Sequence, residues 1–312
     1  MRFPGNVEVV DVTLRDGLQS LETVYPTELK LDILNRLIAV GIKRIEVTSF
    51  VRPDIVPQLA DAEAVVSGLP ARNGCRFRAL VANRRGMERA VAAGVDEVLA
   101  LVTASEAYNQ KNQNMSIDRN LAVINEIAEM ARKHDVHLVV AVSTSMYCIY
   151  EGEIPTERVL RIVSSLHHAG VDEYYVATTA GLDGPRRVYE LSRLLLEEHP
   201  AMKLGIHLHN TNGMGLANAL AAMEAGVRTF EGAICGIGGG IRFPHGSGHH
   251  GNIALEDLVN MFAEMDVSTG IDLDALVGVS RDVGQVLGVA VSSYAARGGT
   301  KAEATRFGQR SP

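Results

Sequence analysis

Two histidines, His207 and His209, lie two residues apart at the end of an apolar run, Lys203 to His209. Side chains alternate across a β-strand, so a strand here sends both imidazoles to the same side. Two nitrogen donors on one rigid element make half a metal site; two histidines hydrogen-bonded at a rim are the plainer alternative. Nearer the N-terminus, Thr13-Leu14-Arg15-Asp16-Gly17 sets a guanidinium and a carboxylate beside a glycine that lets the backbone turn away. Asp16 can offer an anionic oxygen to a cation, or simply form a local ion pair or cap the turn. Glu46 stands inside Ile45-Glu46-Val47-Thr48-Ser49-Phe50, where burying a carboxylate is costly without a partner. Arg15 could be that partner, in a catalytic arrangement or in a purely structural pair. Far along the chain, Gly236-Ile237-Gly238-Gly239-Gly240 opens a stretch that carries His245, His249 and His250 and ends at Asn252. Ile241 occupies the third glycine position of a dinucleotide fingerprint, which makes that match poor. Asn252 could be the N-cap of the helical pattern that follows it, or lend its amide oxygen to a metal. Asp16, His207, His209 and Asn252 together are a mixed oxygen and nitrogen set suited to Mg²⁺ or Mn²⁺ and tolerant of Zn²⁺. Two histidines and a carboxylate would also suit a non-haem Fe(II) oxygenase.

Such distant segments meet only if a scaffold gathers them. Short β-branched runs alternate with longer amphipathic ones throughout, which predicts repeated βα units around a parallel sheet. The strands expected are Val7 to Leu14, Arg44 to Phe50, Arg76 to Ala82, Glu97 to Thr103, His137 to Ser143, Glu173 to Thr178, Lys203 to His209 and Thr229 to Cys235. Helices between them start at Pro26-Thr27-Glu28, Ser116 and Pro155-Thr156-Glu157, and stop at Gly41, Gly94, Gly170 and Gly226. Residues 7 to 265 give eight units of about 32 residues, compatible with the roughly 250 residues of a closed barrel. A doubly wound sheet would more comfortably use five or six units. The reading is an α/β protein, a (β/α)₈ TIM barrel over residues 1–265 with a C-terminal helical extension, 266–312. In that extension Leu273 to Leu287 is helix-like and the polar tail beyond it is expected to fray. Active sites of such barrels sit at the C-terminal ends of the strands, where all the candidate residues above fall.

Hydrophobic residues make up 46% of the 312 and charged ones 21%, enough for a sizeable core and far from a disordered composition. Thirty basic residues against thirty-seven acidic ones leave a net charge of −7 with no basic run, which argues against nucleic acid as a partner. No stretch approaches the roughly 18 apolar residues of a membrane span, and no signal-peptide pattern opens the chain, so a soluble, non-secreted protein is expected. Cys75, Cys148 and Cys235 are too far apart for a CxxC site and odd in number, as suits a reducing cytoplasm.

Four segments carry a family resemblance: Leu14-Arg15-Asp16-Gly17-Leu18-Gln19, Ile45 to Val51, His207-Leu208-His209-Asn210-Thr211, and Gly251-Asn252-Ile253-Ala254-Leu255-Glu256-Asp257-Leu258. They resemble 3-hydroxy-3-methylglutaryl-CoA lyase and its metal-dependent relatives, across about residues 7 to 265. Gly17-Leu18-Gln19 and Thr48-Ser49-Phe50-Val51 are closer to the lyase branch than to the isopropylmalate synthase branch. The resemblance implies a divalent metal held by Asp16, His207, His209 and Asn252. Arg15 would act on the reacting carbonyl, with Glu46 positioning it and His207 counted among the catalytic groups. Gln19, Thr48, Thr178, Thr179 and Lys111 would face the substrate. CoA's negative charge needs a basic loop, for which Lys111 and Arg52 are candidates by loop position alone, solvated surface charges being the alternative. The implied reaction cleaves a 3-hydroxy-acyl-CoA, such as hydroxymethylglutaryl-CoA or citramalyl-CoA, to acetyl-CoA and a keto acid. An aldolase or condensing synthase acting on a 2-oxo acid, and a non-catalytic metal- or ligand-binding barrel, are the alternatives. A homodimer or higher homo-oligomer is implied as well. Two family features are missing: Gly240 stands where a catalytic Cys follows Gly-x-Gly-Gly, and Thr178-Thr179 replaces an Asp-Thr pair. His245, His249 or His250 could supply the acid or base instead.

Overall fold

The computed structural model describes residues 3–239 and 251–310. Its strands are β1 (Glu8–Asp11), β2 (Arg44–Ser49), β3 (Arg76–Leu80), β4 (Glu97–Thr103), β5 (His137–Ser143), the hairpin β6 (Tyr147–Cys148) and β7 (Gly152–Glu153), then β8 (Glu173–Thr178), β9 (Lys203–Leu208) and β10 (Thr229–Gly232). All but the hairpin close into one parallel barrel in the order β1-β10-β9-β8-β5-β4-β3-β2. The ring around it comprises α1 (Thr27–Ala39), α2 (Ala62–Ser67), α3 (Arg84–Ala93), α4 (Glu106–Gln113), α5 (Ile117–His134), α6 (Thr156–His168), α7 (Pro185–Glu198), α8 (Gly215–Ala225) and α9 (Leu255–Glu264). Three more helices follow, α10 (Leu273–Leu287), α11 (Tyr294–Gly298) and α12 (Lys301–Arg310). The eightfold (β/α) barrel read from the periodicity is the fold found.

Period-two alternation sorts the strand residues into two layers. Val98, Ala100 and Val102 on β4, Tyr174 and Val176 on β8, and Leu204, Ile206 and Leu208 on β9 point outward into the main core shared with the helices. The barrel interior holds a smaller apolar cluster of Leu80, Leu99, Val139, Ala141 and Tyr175. Gly205 leaves room for the last of these, since a Cβ there would lie 2.5 Å from the Tyr175 ring.

Charges fill the rest of the interior. Arg44 pairs with Glu97 at 2.7 Å, Glu173 at 2.5 Å and Glu8 at 2.9 Å near the N-terminal mouth. Above it Arg78 pairs with Glu46 and Glu231, and Glu46 pairs with Arg15. Three buried guanidinium groups, on Arg15, Arg44 and Arg78, thus share the interior with four buried carboxylates, Glu46, Glu97, Glu173 and Glu231, while Asp16 pairs with Arg15 at the partly exposed mouth.

Three expectations need correction. Strand one ends at Asp11 rather than Leu14, because Thr13 donates from N and Oγ1 to the Asp11 carboxylate, at 3.0 and 2.7 Å, and turns the chain. Residues Thr13–Gly17 then form a turn of π-helix, a rare geometry found mostly at functional sites. The described tail, residues 288–310, folds back as α11 and α12. Asp257 on α9 accepts from Ser293 Oγ, Tyr294 N and Ala295 N to seat α11, and Arg281–Glu303 and Arg306–Asp274 ion pairs hold α12. Finally, Asn252 does not cap a helix, since α9 begins at Leu255 with Ala254 as its N-cap. Among the described residues no helix is long and apolar enough to cross a membrane.

Candidate active site

Asp16, His207 and His209 converge at the C-terminal mouth of the barrel, with donor atoms within 4.8 Å of one another. Asp16 comes from the π-turn after β1; His207 from β9; His209 from the residue just beyond β9, bridged antiparallel to Asn252. The protonation of the two imidazoles follows from their partners. His207 Nδ1 donates to Glu231 Oε2 at 2.8 Å, and His209 Nδ1 donates to the Thr179 carbonyl at 2.8 Å. A carboxylate and a carbonyl can only accept, so each Nδ1 carries a proton and each Nε2 is turned into the cluster, its lone pair bare unless a proton or a cation sits there. These two Nε2 atoms face each other at 3.0 Å.

Two bare lone pairs repel unless something positive lies between them. Nitrogen donors each about 2.1 Å from one ion and at right angles would stand about 3.0 Å apart. Asn252 completes the pattern. Its Nδ2 donates to Asp16 Oδ2 at 2.8 Å and to the Ile237 carbonyl at 2.9 Å, which fixes the amide and leaves Oδ1 buried without a partner among the described residues. The donor set and this unpartnered oxygen fit a hard divalent cation with room for substrate oxygens.

Arg15 borders this cluster. Its Nε donates to Glu46 and its Nη1 to Asp16 Oδ1. Burial alone would push Asp16 up, but Arg15 and the two imidazoles hold its carboxyl well below the usual range. Burial likewise opposes charge on Glu231, yet Arg78 and His207 bring it down to about 2. Both carboxylates therefore stay anionic across the physiological range.

Gly238 and Gly251 lie against each other beside Asn252 and Asp16. A Cβ on Gly251 would lie 2.2 Å from the Gly238 carbonyl oxygen, and one on Gly238, at φ +126°, would lie 2.1 Å from Asn252 Nδ2. His245, His249 and His250 lie outside the described residues. Thr178 and Thr179 hold His209 in place: Thr178 Oγ1 accepts from His209 N at 3.1 Å, and Thr179 supplies the carbonyl named above. Thr48 is buried on β2 with its hydroxyl unpartnered among the described residues. Gln19 is exposed beside the π-turn. Lys111 is exposed on α4, its Nζ 4.8 Å from the centroid of the Tyr150 ring, and Arg52 pairs with Asp54 on the surface.

Cys235 does not face the cluster. Its Sγ points to the Ser280 carbonyl at 3.2 Å, and burial pushes the thiol up to about 12. Sequence reasoning missed Glu231 and Arg78. Each is a charged residue at an inward position of a strand, Glu231 directly beside His207 in register and Arg78 between Glu46 and Glu97. The expense that marked Glu46 marked them equally.

Comparison with known proteins places this geometry in a family context. The HMGL-like family model matches residues 6–283. The hydroxymethylglutaryl-CoA lyase YngG of Bacillus subtilis is 34% identical over 92% of this chain and 95% of its own length. A crystal structure of a Bacillus subtilis HMG-CoA lyase superposes with a TM-score of 0.91 at 34% identity, covering 95% of this chain and 99% of that one. An HMG-CoA lyase of Acinetobacter baumannii, solved in complex with coenzyme A and 3-methylmalate, gives a TM-score of 0.89 at 36% identity, covering 96% and 97%.

Proposed function

The chain belongs to the HMGL-like family of carbon-carbon lyases, and on that premise we propose that it cleaves a 3-hydroxy-acyl-CoA, hydroxymethylglutaryl-CoA or a related thioester such as citramalyl-CoA, with the help of a divalent cation. The observation that carries the cation is the pair of imidazole Nε2 atoms facing each other at 3.0 Å beside Asp16, with the Asn252 oxygen unpartnered among the described residues. Asp16, His207, His209 and Asn252 would hold Mg²⁺ or Mn²⁺, with Zn²⁺ also compatible with the donors. Bound there, the ion would supply Lewis-acid polarisation of substrate hydroxyl and carbonyl oxygens.

In the reaction a base takes the tertiary hydroxyl proton. The bond between the carbinol carbon and the carbon next to the thioester breaks, and its electron pair moves into the thioester as an enolate. A proton delivered to that carbon yields acetyl-CoA, and the other product is the keto acid. Arg15 faces the charge as it moves and stabilises it, since Glu46 and Asp16 hold the guanidinium rigidly. His207 is aimed by Glu231 in the same way. We assign the proton transfers to one of His245, His249 and His250, because an imidazole titrates near neutral pH and the residues flanking their segment border the cluster. Thr48 and Thr178–Thr179 would line the acyl site, with Gln19, Lys111 and Arg52 towards its CoA arm.

Thr178 in place of a carboxylate favours a substrate other than hydroxymethylglutaryl-CoA itself, and the 3-methylmalate carried by the Acinetobacter baumannii relative supports a branched dicarboxylic acyl group. We assign catalysis to residues 1–265 and treat 266–312 as an extension seated on α9. Three buried, free cysteines suit a reducing cytoplasm. Incubation with candidate CoA thioesters and Mg²⁺ or Mn²⁺, with products identified by mass spectrometry and an Asp16→Asn control, tests the assignment. Acetyl-CoA and a keto acid are expected from the wild type alone. If no thioester turns over and 2-oxo-4-hydroxy acids do, the protein is an aldolase.

A further inference from the structure

Arg78 is fully buried at the middle of the barrel and belongs to no motif. Its Nη2 donates to Glu46 Oε2 and to Glu231 Oε1. The opposite oxygen of each carboxylate serves the site: Glu46 Oε1 accepts from Arg15 Nε, and Glu231 Oε2 accepts from His207 Nδ1 at 2.8 Å. One guanidinium therefore spans the two carboxylates that aim Arg15 and His207. Its own position is fixed by the Tyr175 ring, 5.1 Å from ring centroid to guanidinium carbon, and that ring is seated against Gly205.

We propose that Arg78 is a positioning residue that holds Arg15 and the metal-facing imidazole of His207 in one fixed arrangement through Glu46 and Glu231. The inference rests on the cation reading given above. Without Arg78 two carboxylates would face each other in a dry interior without their shared counter-charge, and each would turn away from the other. That rotation releases the group it aims. An aliphatic residue at 78 fills the volume and leaves both carboxylates uncompensated. A lysine keeps the charge but loses the planar fork.

The test compares Arg78→Met and Arg78→Lys with Arg44→Met, which removes an equally buried arginine whose partners Glu8, Glu97 and Glu173 do not touch the donors. Mn²⁺ dissociation constants come from titration calorimetry on the full chain, melting temperatures from circular dichroism, and kcat and KM from hydroxymethylglutaryl-CoA or the thioester that the screen identifies. Arg78→Met is expected to weaken Mn²⁺ binding about 10- to 100-fold and to lower kcat by a similar factor with less change in KM. Arg78→Lys is expected to fall between that variant and the wild type. Arg44→Met is expected to melt earlier with its Mn²⁺ affinity unchanged. Wild-type Mn²⁺ affinity and kcat in Arg78→Met overturn the proposal, as does an equal loss of affinity in Arg44→Met. Should Arg78→Met not fold, wild-type values in Arg78→Lys overturn it. Wild-type protein that binds no Mn²⁺ overturns the cation reading and this inference with it; a wild type that binds, alongside unchanged Arg78 variants, overturns the inference alone.

Discussion

Gly238→Ala should strip the cluster of its cation while leaving the barrel folded. A Cβ at this position falls 2.1 Å from Asn252 Nδ2 and 2.9 Å from Asp16 Oδ2. Ordinary contact begins at 3.4 Å, so the amide must retreat by the difference, about 1.3 Å. Its bonds to Asp16 and to the Ile237 carbonyl, 2.8 and 2.9 Å long, do not survive a displacement of that size, and the buried Oδ1 moves away with them. The φ of +126° adds backbone strain of about 1–3 kcal/mol for a residue with a side chain. A total stability of roughly 5–15 kcal/mol absorbs this. Loss of one donor and disturbance of a second should weaken Mn²⁺ binding about 10- to 100-fold, or roughly 1.4–2.8 kcal/mol. Titration calorimetry of the variant, with a circular dichroism melt to certify the fold, reads both quantities. A folded Gly238→Ala protein that binds Mn²⁺ like the wild type, under conditions where Asp16→Asn does not, refutes the geometry.

Three further outcomes are expected. Chelation should lower the melting temperature, and Mn²⁺ at a hundredfold excess over its dissociation constant should restore about 2.7 kcal/mol; a thermal shift that persists in His209→Ala would place the ion elsewhere. Cys235→Ser should keep turnover to within about threefold, and iodoacetamide should leave the native enzyme active, because a thiol buried against Ser280 is inert; rapid inactivation by alkylation at Cys235 contradicts this. Burial raises both Asp11 and Glu256 to about 7. In the unfolded chain these carboxyls ionise near pH 4, so between about pH 4 and 7 the folded state holds more protons than the unfolded one and stability falls as pH rises. Each group contributes up to about 1.4 kcal/mol per pH unit across that window. Denaturant melts of Asp11→Asn should show a shallower decline than wild type between pH 5 and 7, and an identical slope would count against the assignment.

The barrel was legible because its strands are short β-branched runs separated by helices with glycine stops, a pattern that depends only on local chemistry. Asp16, His207 and His209 were legible as a cluster because each lies at or just beyond the C-terminal end of a barrel strand. Position within the turn was harder. Nothing in Thr13-Leu14-Arg15 says that Thr13 will bond back to Asp11 and start a π-turn, where its hydroxyl also accepts from Ile234 N just past the neighbouring strand β10. Asn252 misled in the opposite direction: an Asn before a helical pattern favours a cap, but its bridge to His209 captured it first. The tail was misjudged on composition. Its glycines and arginines suggest fraying, yet Glu303 and Arg306 pair with Arg281 and Asp274 on α10. Arg78 and Glu231 stayed hidden because a charge in a strand reads as a solvent-facing residue until the sheet is known to close upon it.

The contact between Gly238 and Gly251 has an evolutionary consequence. Gly238 and Gly251 lie against each other, and Asn252 is bonded to Asp16 and Ile237, so the residues on either side of 240–250 are tied together directly. Closing a longer loop between two such tied ends costs little entropy, so insertions between Gly239 and Gly251 should leave Asn252 and Asp16 in place.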